Sequence, residues 1–178
     1  MKTISVAKVV LFLCCSMFYT NISYAVIGGT VNFVGEVVDA ACSVSTNSED
    51  QTVILSQVRT VKLTTTGAVA GQQKPFNIIL EDCDTTVSQN AGVTFNGQAD
   101  STSTTALANT AGAGSATNVA LQLYGPDGQQ LALGTESSTI QLQDGTNIIP
   151  LSVDYMATAG AATAGNVSAT ATFNINYS

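Results

Sequence analysis

The chain has 178 residues, with 5 lysine and arginine residues against 12 aspartate and glutamate residues, and it contains no histidine. This acidic balance argues against a nucleic-acid-binding protein, which needs clustered positive charge. Without histidine, a Ser-His-Asp triad and the commonest zinc and copper sites are excluded. We therefore expect no catalysis, no cofactor and no metal site.

The first 25 residues have the layout of a secretory signal peptide. Lys2 and Lys8 are followed by an apolar run over residues 9–19 and then by the end Ser23-Tyr24-Ala25. The run is about eleven residues long, well short of the roughly 20 that span a membrane. We expect an exported protein without a membrane anchor, whose mature chain starts at Val26 and is long enough for one two-layer domain.

Directly after this leader, apolar residues and glycines recur at every second position. The alternating set consists of Ile27, Gly29, Val31, Phe33 and Gly35. Because successive side chains of a strand point to opposite faces, the pattern predicts a strand with one apolar face. Periodicity alone does not say whether this strand belongs to the sheet of its own domain or to that of a neighbouring molecule.

Four cysteines are present, and two of them, Cys14 and Cys15, lie inside the leader, preceded by Leu-Phe-Leu and not by the small residues of a lipoprotein cleavage site. The mature chain keeps Cys42 and Cys83, an even number in an exported protein, which predicts a disulfide. A loop of this length contributes about 4 kcal/mol in the chain-entropy account. A free thiol pair or half of a metal site is the alternative.

Most of the mature chain is rich in Val, Ile, Thr, Phe and Tyr, with little helical periodicity. Turn sequences occur at residues 125–128 and 144–147. Short strands separated by turns indicate an antiparallel sandwich. The predicted strands are residues 30–44, 52–55, 60–65, 75–81, 92–96, 118–124, 139–142, 147–156 and 167–177.

Residues 98–117 consist almost entirely of Ala, Ser, Thr, Gly and Asn. Such a composition fits a disordered segment. Its scattered apolar positions fit an ordered surface loop equally well. Both interpretations stay open at this point.

The last predicted strand has the clearest pattern in the chain. Its apolar residues alternate strictly with polar ones, so one face is apolar and the other polar. The chain ends there without a hairpin partner, and an open apolar edge is an aggregation hazard. The apolar set is Ala169, Ala171, Phe173, Ile175 and Tyr177.

Three carboxylates flank the second mature cysteine: Glu81, Asp82 and Asp84. They could in principle form a glycosidase pair or a calcium cluster. We interpret them as surface charges beside the disulfide.

Several stretches resemble the major subunits of type 1 and related fimbriae, which the chaperone–usher pathway assembles. The resemblance starts with residues 28–42, Gly-Gly-Thr-Val-Asn-Phe-Val-Gly-Glu-Val-Val-Asp-Ala-Ala-Cys, and spans the mature chain. It ends with Gly165, the fourteenth residue counted back from the C-terminus, and with the penultimate Tyr177. The intervening matches lie at residues 50–53, 57–60, 76–84, 114–119 and 145–147.

The resemblance implies an all-β, incomplete immunoglobulin-like sandwich that lacks its last strand. A periplasmic chaperone would lend a strand beside the C-terminal segment, and an outer-membrane usher would exchange it for the N-terminal extension of the next subunit. The groove-filling side chains would be Ile27, Gly29, Val31, Phe33 and Gly35. The accepting strand would carry Gly165, Ala171, Phe173, Ile175 and Tyr177.

The expected organisation is a signal peptide over residues 1–25, a donor-strand extension over 26–35 and a pilin domain over 36–178. The expected function is that of the shaft subunit of a surface fimbria, with copies of itself and other fimbrial subunits as partners. A minor adaptor or terminator subunit is the first alternative. An exported immunoglobulin-like module that binds a ligand through residues 98–117 is the second.

Overall fold

A computed structural model describes residues 29–35 and 40–178. The chain divides into two units, Met1–Val37 and Val38–Ser178, which are described separately below. The predicted signal peptide and Ile27 lie outside the described residues, as do residues 36–39.

The regular secondary structure of the second unit consists almost entirely of β-strands. Its helical parts are a short helix α1, Thr46–Glu49, and a 3-10 turn, Thr60–Lys62. Within the described residues, no helix has the length and apolar character needed to cross a membrane. The strands are β1 Ser43–Val44, β2 Lys74–Cys83, β3 Asn90–Gly97, β4 Leu107–Ala108, β5 Val119–Tyr124, β6 Gln130–Leu131, β7 Ile140–Gln141, β8 Gly145–Ala157 and β9 Ala171–Tyr177.

These strands form two antiparallel sheets that pack face to face. The larger sheet has the order β1-β2-β8-β5-β4, with β6 also paired to β5, and the smaller has the order β7-β3-β9. Phe76 of the larger sheet meets Phe95 of the smaller one with ring centroids 6.2 Å apart. The architecture is a two-layer sandwich, as the strand and turn pattern predicts.

Buried and outward-facing side chains alternate along the longest strand, β8, as the two-residue period of a strand requires. In β8, Ile149, Leu151 and Val153 are buried, while the residues between them face outward. Burial of such a side chain stabilises the fold by about 1.5–3 kcal/mol. Ile149 lies opposite Ile78 of β2, which is also fully buried, so the two strands form the centre of the core.

The two mature cysteines, Cys42 and Cys83, are joined in a disulfide across a separation of 41 residues. This bond ties the start of the second unit to the end of β2. The prediction from the cysteine count is thereby confirmed.

Four predicted strands differ from the structure, and the last of them, residues 167–177, is a strand only over Ala171–Tyr177. Within residues 30–44, the described part forms a strand only at Ser43–Val44. Residues 60–65 contain the 3-10 turn Thr60–Lys62 in place of a strand, and Leu63 directly after it enters a small core cluster, where it is 2% exposed. Residues 52–55 have no strand partner among the described residues, because a groove, described below, separates them from β9.

Residues 98–117 are ordered, which decides between the two interpretations of their composition. They contain β4, which pairs with β5, and an isolated bridge between Ala99 and Leu107. Asp100 also accepts backbone hydrogen bonds from Thr102 and Ser103 at 2.9 Å each. The segment is a hydrogen-bonded surface loop.

Candidate functional site: an open groove beside the last strand

Strand β9 has a sheet neighbour on one side only. Ser178 and Asn90 exchange two backbone hydrogen bonds, of 3.1 and 2.9 Å. Because such pairs recur at every second residue of an antiparallel ladder, the even-numbered residues of β9 turn their N–H and C=O groups towards β3. The odd-numbered residues turn theirs to the opposite edge. Over residues 29–35 and 40–178, no strand pairs with that edge.

The side chains of the same odd-numbered residues point into the sandwich. Ala171, Phe173, Ile175 and Tyr177 are half-buried and pack against the main core cluster, whereas Thr172 and Asn174 are exposed. Phe173 lies opposite Phe95, with ring centroids 6.1 Å apart. The predicted alternation is therefore present. The apolar side chains pack against the core, but part of their surface stays exposed along the unpaired edge of β9.

A groove of about 1020 Å³ runs along this uncovered side. Residues 167–173 line one side of the groove and residues 48–55 line the other. Its floor includes Phe76, Phe95 and Leu123 of the core. The groove thus opens directly onto the interior of the sandwich.

Residues 52–55 lie on the side of the groove opposite β9, and this position explains why they form no strand. Val53 and Leu55 are half-buried and pack against the core, whereas Ile54 between them is 73% exposed. This alternation is that of a strand. The groove separates the segment from β9, so the sheet partner that would complete a ladder is missing there.

A second cavity of about 370 Å³ continues the groove. The two cavities share Leu55, Tyr155 and Val167 as lining residues. The smaller one is also lined by Leu63 and Gly165. Together they make a long channel beside the C-terminal segment.

Gly165 lies where the backbone of the C-terminal segment passes close to a neighbouring loop. A Cβ atom at this position would lie 2.3 Å from the backbone nitrogen of Ala116 and 2.5 Å from the carbonyl carbon of Ser115. Hydrogen bonds from Ala116 N to Asn166 O and from Asn166 N to Gly114 O, both 2.9 Å, hold the two segments together. The position requires glycine because of space and not because of backbone dihedral angles.

Tyr177 connects the end of the chain to the disulfide. Its hydroxyl donates a hydrogen bond to the carbonyl oxygen of Cys42 at 3.1 Å. Burial raises the pKa of Tyr177 above its ordinary value. The far end of β9 is therefore anchored, whereas its edge along the groove is open.

The extension, residues 29–35, has no regular secondary structure. The side chains of Val31 and Phe33 are 71% and 92% exposed, and a Cβ atom at Gly29 or Gly35 would meet no other atom within 4 Å. Val34 is exposed as well, and three large apolar side chains on a short exposed segment favour burial against another surface.

The carboxylates that flank Cys83 lie on the surface. Glu81, Asp82 and Asp84 are exposed. Asp84 accepts hydrogen bonds from the backbone N–H of Thr86 at 2.8 Å and from its hydroxyl, which is a turn-stabilising role. In the described part of the chain, no group of three or more cysteine or carboxylate side chains is placed to hold a metal ion.

Comparisons with known proteins agree with this geometry. A family model described as "Fimbrial protein" matches residues 31–178. The laminin-binding fimbrial subunit ElfA of Escherichia coli O157:H7 is 48% identical over 154 residues, which cover 86% of this chain and 86% of that protein. The type-1 fimbrial protein, A chain, of Escherichia coli is 51% identical over 154 residues, covering 84% of this chain and 83% of that protein.

Solved structures show the same similarity. A chain from the structure of a chaperone–usher pilus matches with a TM-score of 0.67 at 28% identity, covering 88% of this chain and 99% of that one. The crystal structure of the P pilus rod subunit PapA matches with a TM-score of 0.64 at 25% identity, covering 78% and 100%. The predicted all-β pilin fold is confirmed, and the chain belongs to the fimbrial protein family of pilus subunits.

Proposed function

We propose that this chain is the structural shaft subunit of a chaperone–usher fimbria and that it polymerises by donor-strand exchange. Residues 26–35 of one subunit would enter the groove of the next and pair with the open edge of β9. The observation that carries the proposal is this edge, whose apolar face is half-buried above an open core.

The chemistry of the extension suits this role. Burial of Val31 and Phe33 would contribute about 1.5–3 kcal/mol each. Each main-chain hydrogen bond to the odd-numbered residues of β9 would add roughly 0.5–1.5 kcal/mol. Strand addition to an exposed sheet edge is an established mode of recognition. Ile27, Gly29 and Gly35 complete the proposed donor set.

The geometry of such a contact determines the assembly. The donor extension and the acceptor groove are different surfaces of the same chain, so the contact is head-to-tail. A head-to-tail contact that does not close generates a helical filament. A surface fibre of many identical subunits is the expected product.

Before assembly, the open edge needs a temporary partner. We propose that a periplasmic chaperone covers β9 over the face formed by Ala171, Phe173, Ile175 and Tyr177, and that an outer-membrane usher exchanges it for the donor strand. An unprotected strand with this apolar face is a site of aggregation. Transit through the periplasm follows from this part of the proposal.

The test is deletion of residues 26–33 with co-expression of the cognate chaperone. The expected product is a soluble one-to-one complex with the chaperone that never forms fibres in electron micrographs. Intact fibres from the deleted chain would contradict strand donation.

A matched pair of point variants sharpens the test. Phe33→Asp places a charge on the face that is expected to enter the groove, and should abolish fibres. Asn32→Asp places the same charge on the other face and should leave them. Equal effects of both variants would mean that the extension does not bind as a strand with one buried face.

A further inference from the structure

Residues 109–117 run beside residues 163–168, and we refer to the first segment as the strap and to the second as the wall. The wall contains Val167, which lines both cavities, and it leads directly into β9. Strap and wall are joined by backbone hydrogen bonds from Thr110 N to Ser168 O at 2.8 Å, Ala116 N to Asn166 O at 2.9 Å and Asn166 N to Gly114 O at 2.9 Å. The strap therefore determines where one side of the groove lies.

The side chain of Asn109 is at the centre of this contact. Its Nδ2 donates to the carbonyl oxygens of Ala116 and Asn166, both at 2.9 Å. Its Oδ1 accepts from the backbone N–H of Ser168 at 3.0 Å and of Ala111 at 3.2 Å. A primary amide has two donor hydrogens and one acceptor oxygen with two lone pairs, and all of these are used. The one half-buried side chain binds both the strap and the wall.

These bonds also orient the backbone of the wall. Both the N–H and the C=O of Ser168 point to the strap, to Asn109 and Thr110 respectively. In an extended chain, adjacent residues turn their backbone groups to opposite sides. The N–H and C=O groups of Val167 and Ala169 are therefore directed away from the strap, in continuation of the open edge of β9.

We propose that Asn109 is a positioning residue for strand uptake, because it holds the wall so that Val167 and Ala169 present their backbone groups to an incoming strand. This inference rests on the proposed function, and it assigns to the strap a role that its composition does not indicate. Loss of the Asn109 amide would leave the sandwich folded but would let the wall move out of register with β9.

The experiment uses the full mature chain carrying Phe33→Asp, so that its own extension does not compete, refolded by dilution from denaturant. The probe is a fluorescent peptide with the sequence of residues 26–40, and its association and dissociation rates are measured. Asn109→Ala should weaken peptide affinity about tenfold, the equivalent of one to two lost hydrogen bonds. An unchanged affinity would overturn the proposal.

Asn147→Ala is the matched control. The Asn147 amide also binds the backbone, accepting from Gln143 N at 2.9 Å and donating to Gln143 O at 2.7 Å, but it lies near the start of β8 and lines neither cavity. It should lower the urea midpoint of unfolding without altering the peptide rates. If both variants weaken peptide binding in proportion to their loss of stability, the role of Asn109 is merely structural and the proposal fails.

Asn109→Asp provides a second readout at the same position. It keeps the acceptor for Ser168 and Ala111 but loses the donors, and its second carboxylate oxygen would face the carbonyl oxygens of Ala116 and Asn166. Peptide affinity should be reduced at least as much as in Asn109→Ala, and wild-type affinity in Asn109→Asp would overturn the proposal. Failure of the parent chain to bind the peptide at all would instead refute strand donation itself.

Discussion

The hydroxyl of Tyr177 donates a hydrogen bond to the carbonyl oxygen of Cys42, a residue 135 positions earlier in the chain. Cys42 is in turn bonded to Cys83 at the end of β2. The last strand of the smaller sheet is thus connected through one hydroxyl and one disulfide to β2 of the larger sheet.

Tyr177→Phe removes this hydrogen bond and keeps the aromatic ring. The free energy of unfolding should fall by about 0.5–1.5 kcal/mol, the usual net contribution of one hydrogen bond. Urea unfolding of the mature monomer measures the change. Tyr177→Ala should cost more, because it also removes the half-buried ring. Equal losses for the two variants would mean that the ring contributes nothing.

Removal of the disulfide by Cys42→Ala together with Cys83→Ala should lower the free energy of unfolding by about 2–5 kcal/mol. The effect should not add to that of Tyr177→Phe, because contacting groups share one local structure. A double-mutant cycle in urea, with and without the disulfide, measures the coupling. Simple additivity would show that Tyr177 acts independently of the cysteine pair.

Stability should decline at alkaline pH because of the tyrosines. Burial, followed by the charge of Asp154, raises the pKa of Tyr124 and Tyr155, and burial raises that of Tyr177, above the ordinary 10.0. As the pH rises, the unfolded chain therefore loses these protons before the folded chain does. The contribution of the protonated tyrosines to the free energy of unfolding is fully present below about pH 10 and is lost as the pH rises through the folded-state pKa values. Urea midpoints measured across this range should fall, and Tyr177→Phe should make the fall shallower. A slope unchanged by that variant would contradict the assignment.

Gly165→Ala should destabilise the chain by about 1–3 kcal/mol, as expected for overpacking of a close backbone contact. The added methyl group would force apart the wall and the backbone of Ser115 and Ala116. Ala164→Ser, at the exposed neighbouring position, is the control and should change little. Thermal unfolding of the two variants compares them directly.

Phe173→Asp should abolish both capture by the chaperone and incorporation into fibres, since it places a charge on the half-buried face of β9. Asn174→Asp adds the same charge on the exposed face and should retain both. Co-purification with the chaperone and electron microscopy of surface fibres provide the readouts. Fibres formed by Phe173→Asp would show that this face does not accept a strand.

Much of the fold was predictable because its signals are local. The alternation that ends in Phe173, Ile175 and Tyr177 predicted both the strand and its inward face, since burial follows the two-residue period directly. Residues 52–55 show the same period, yet no ladder forms there. Periodicity reports which face is buried, whereas pairing depends on a second strand, and none of the described residues forms one beside this segment.

The parts of the groove that were missed depend on contacts between distant residues. Asn109 binds Ser168, 59 positions away, and all four of its partners are backbone atoms. Backbone atoms are the same at every position, so no sequence pattern marks such partners. Gly165 was named through the family resemblance, but the physical reason for it, the nearby backbone of Ala116, likewise involves residues distant in the chain.

The half-buried face of β9 has a mechanical consequence. If the strand of a neighbour covers it, each joint of the fibre is the interior of a folded domain and not a contact between two finished surfaces. To pull two subunits apart would then require exposing Phe173 and the aromatic residues beneath it to water. The tensile strength of each joint would then be set by the unfolding of a sandwich.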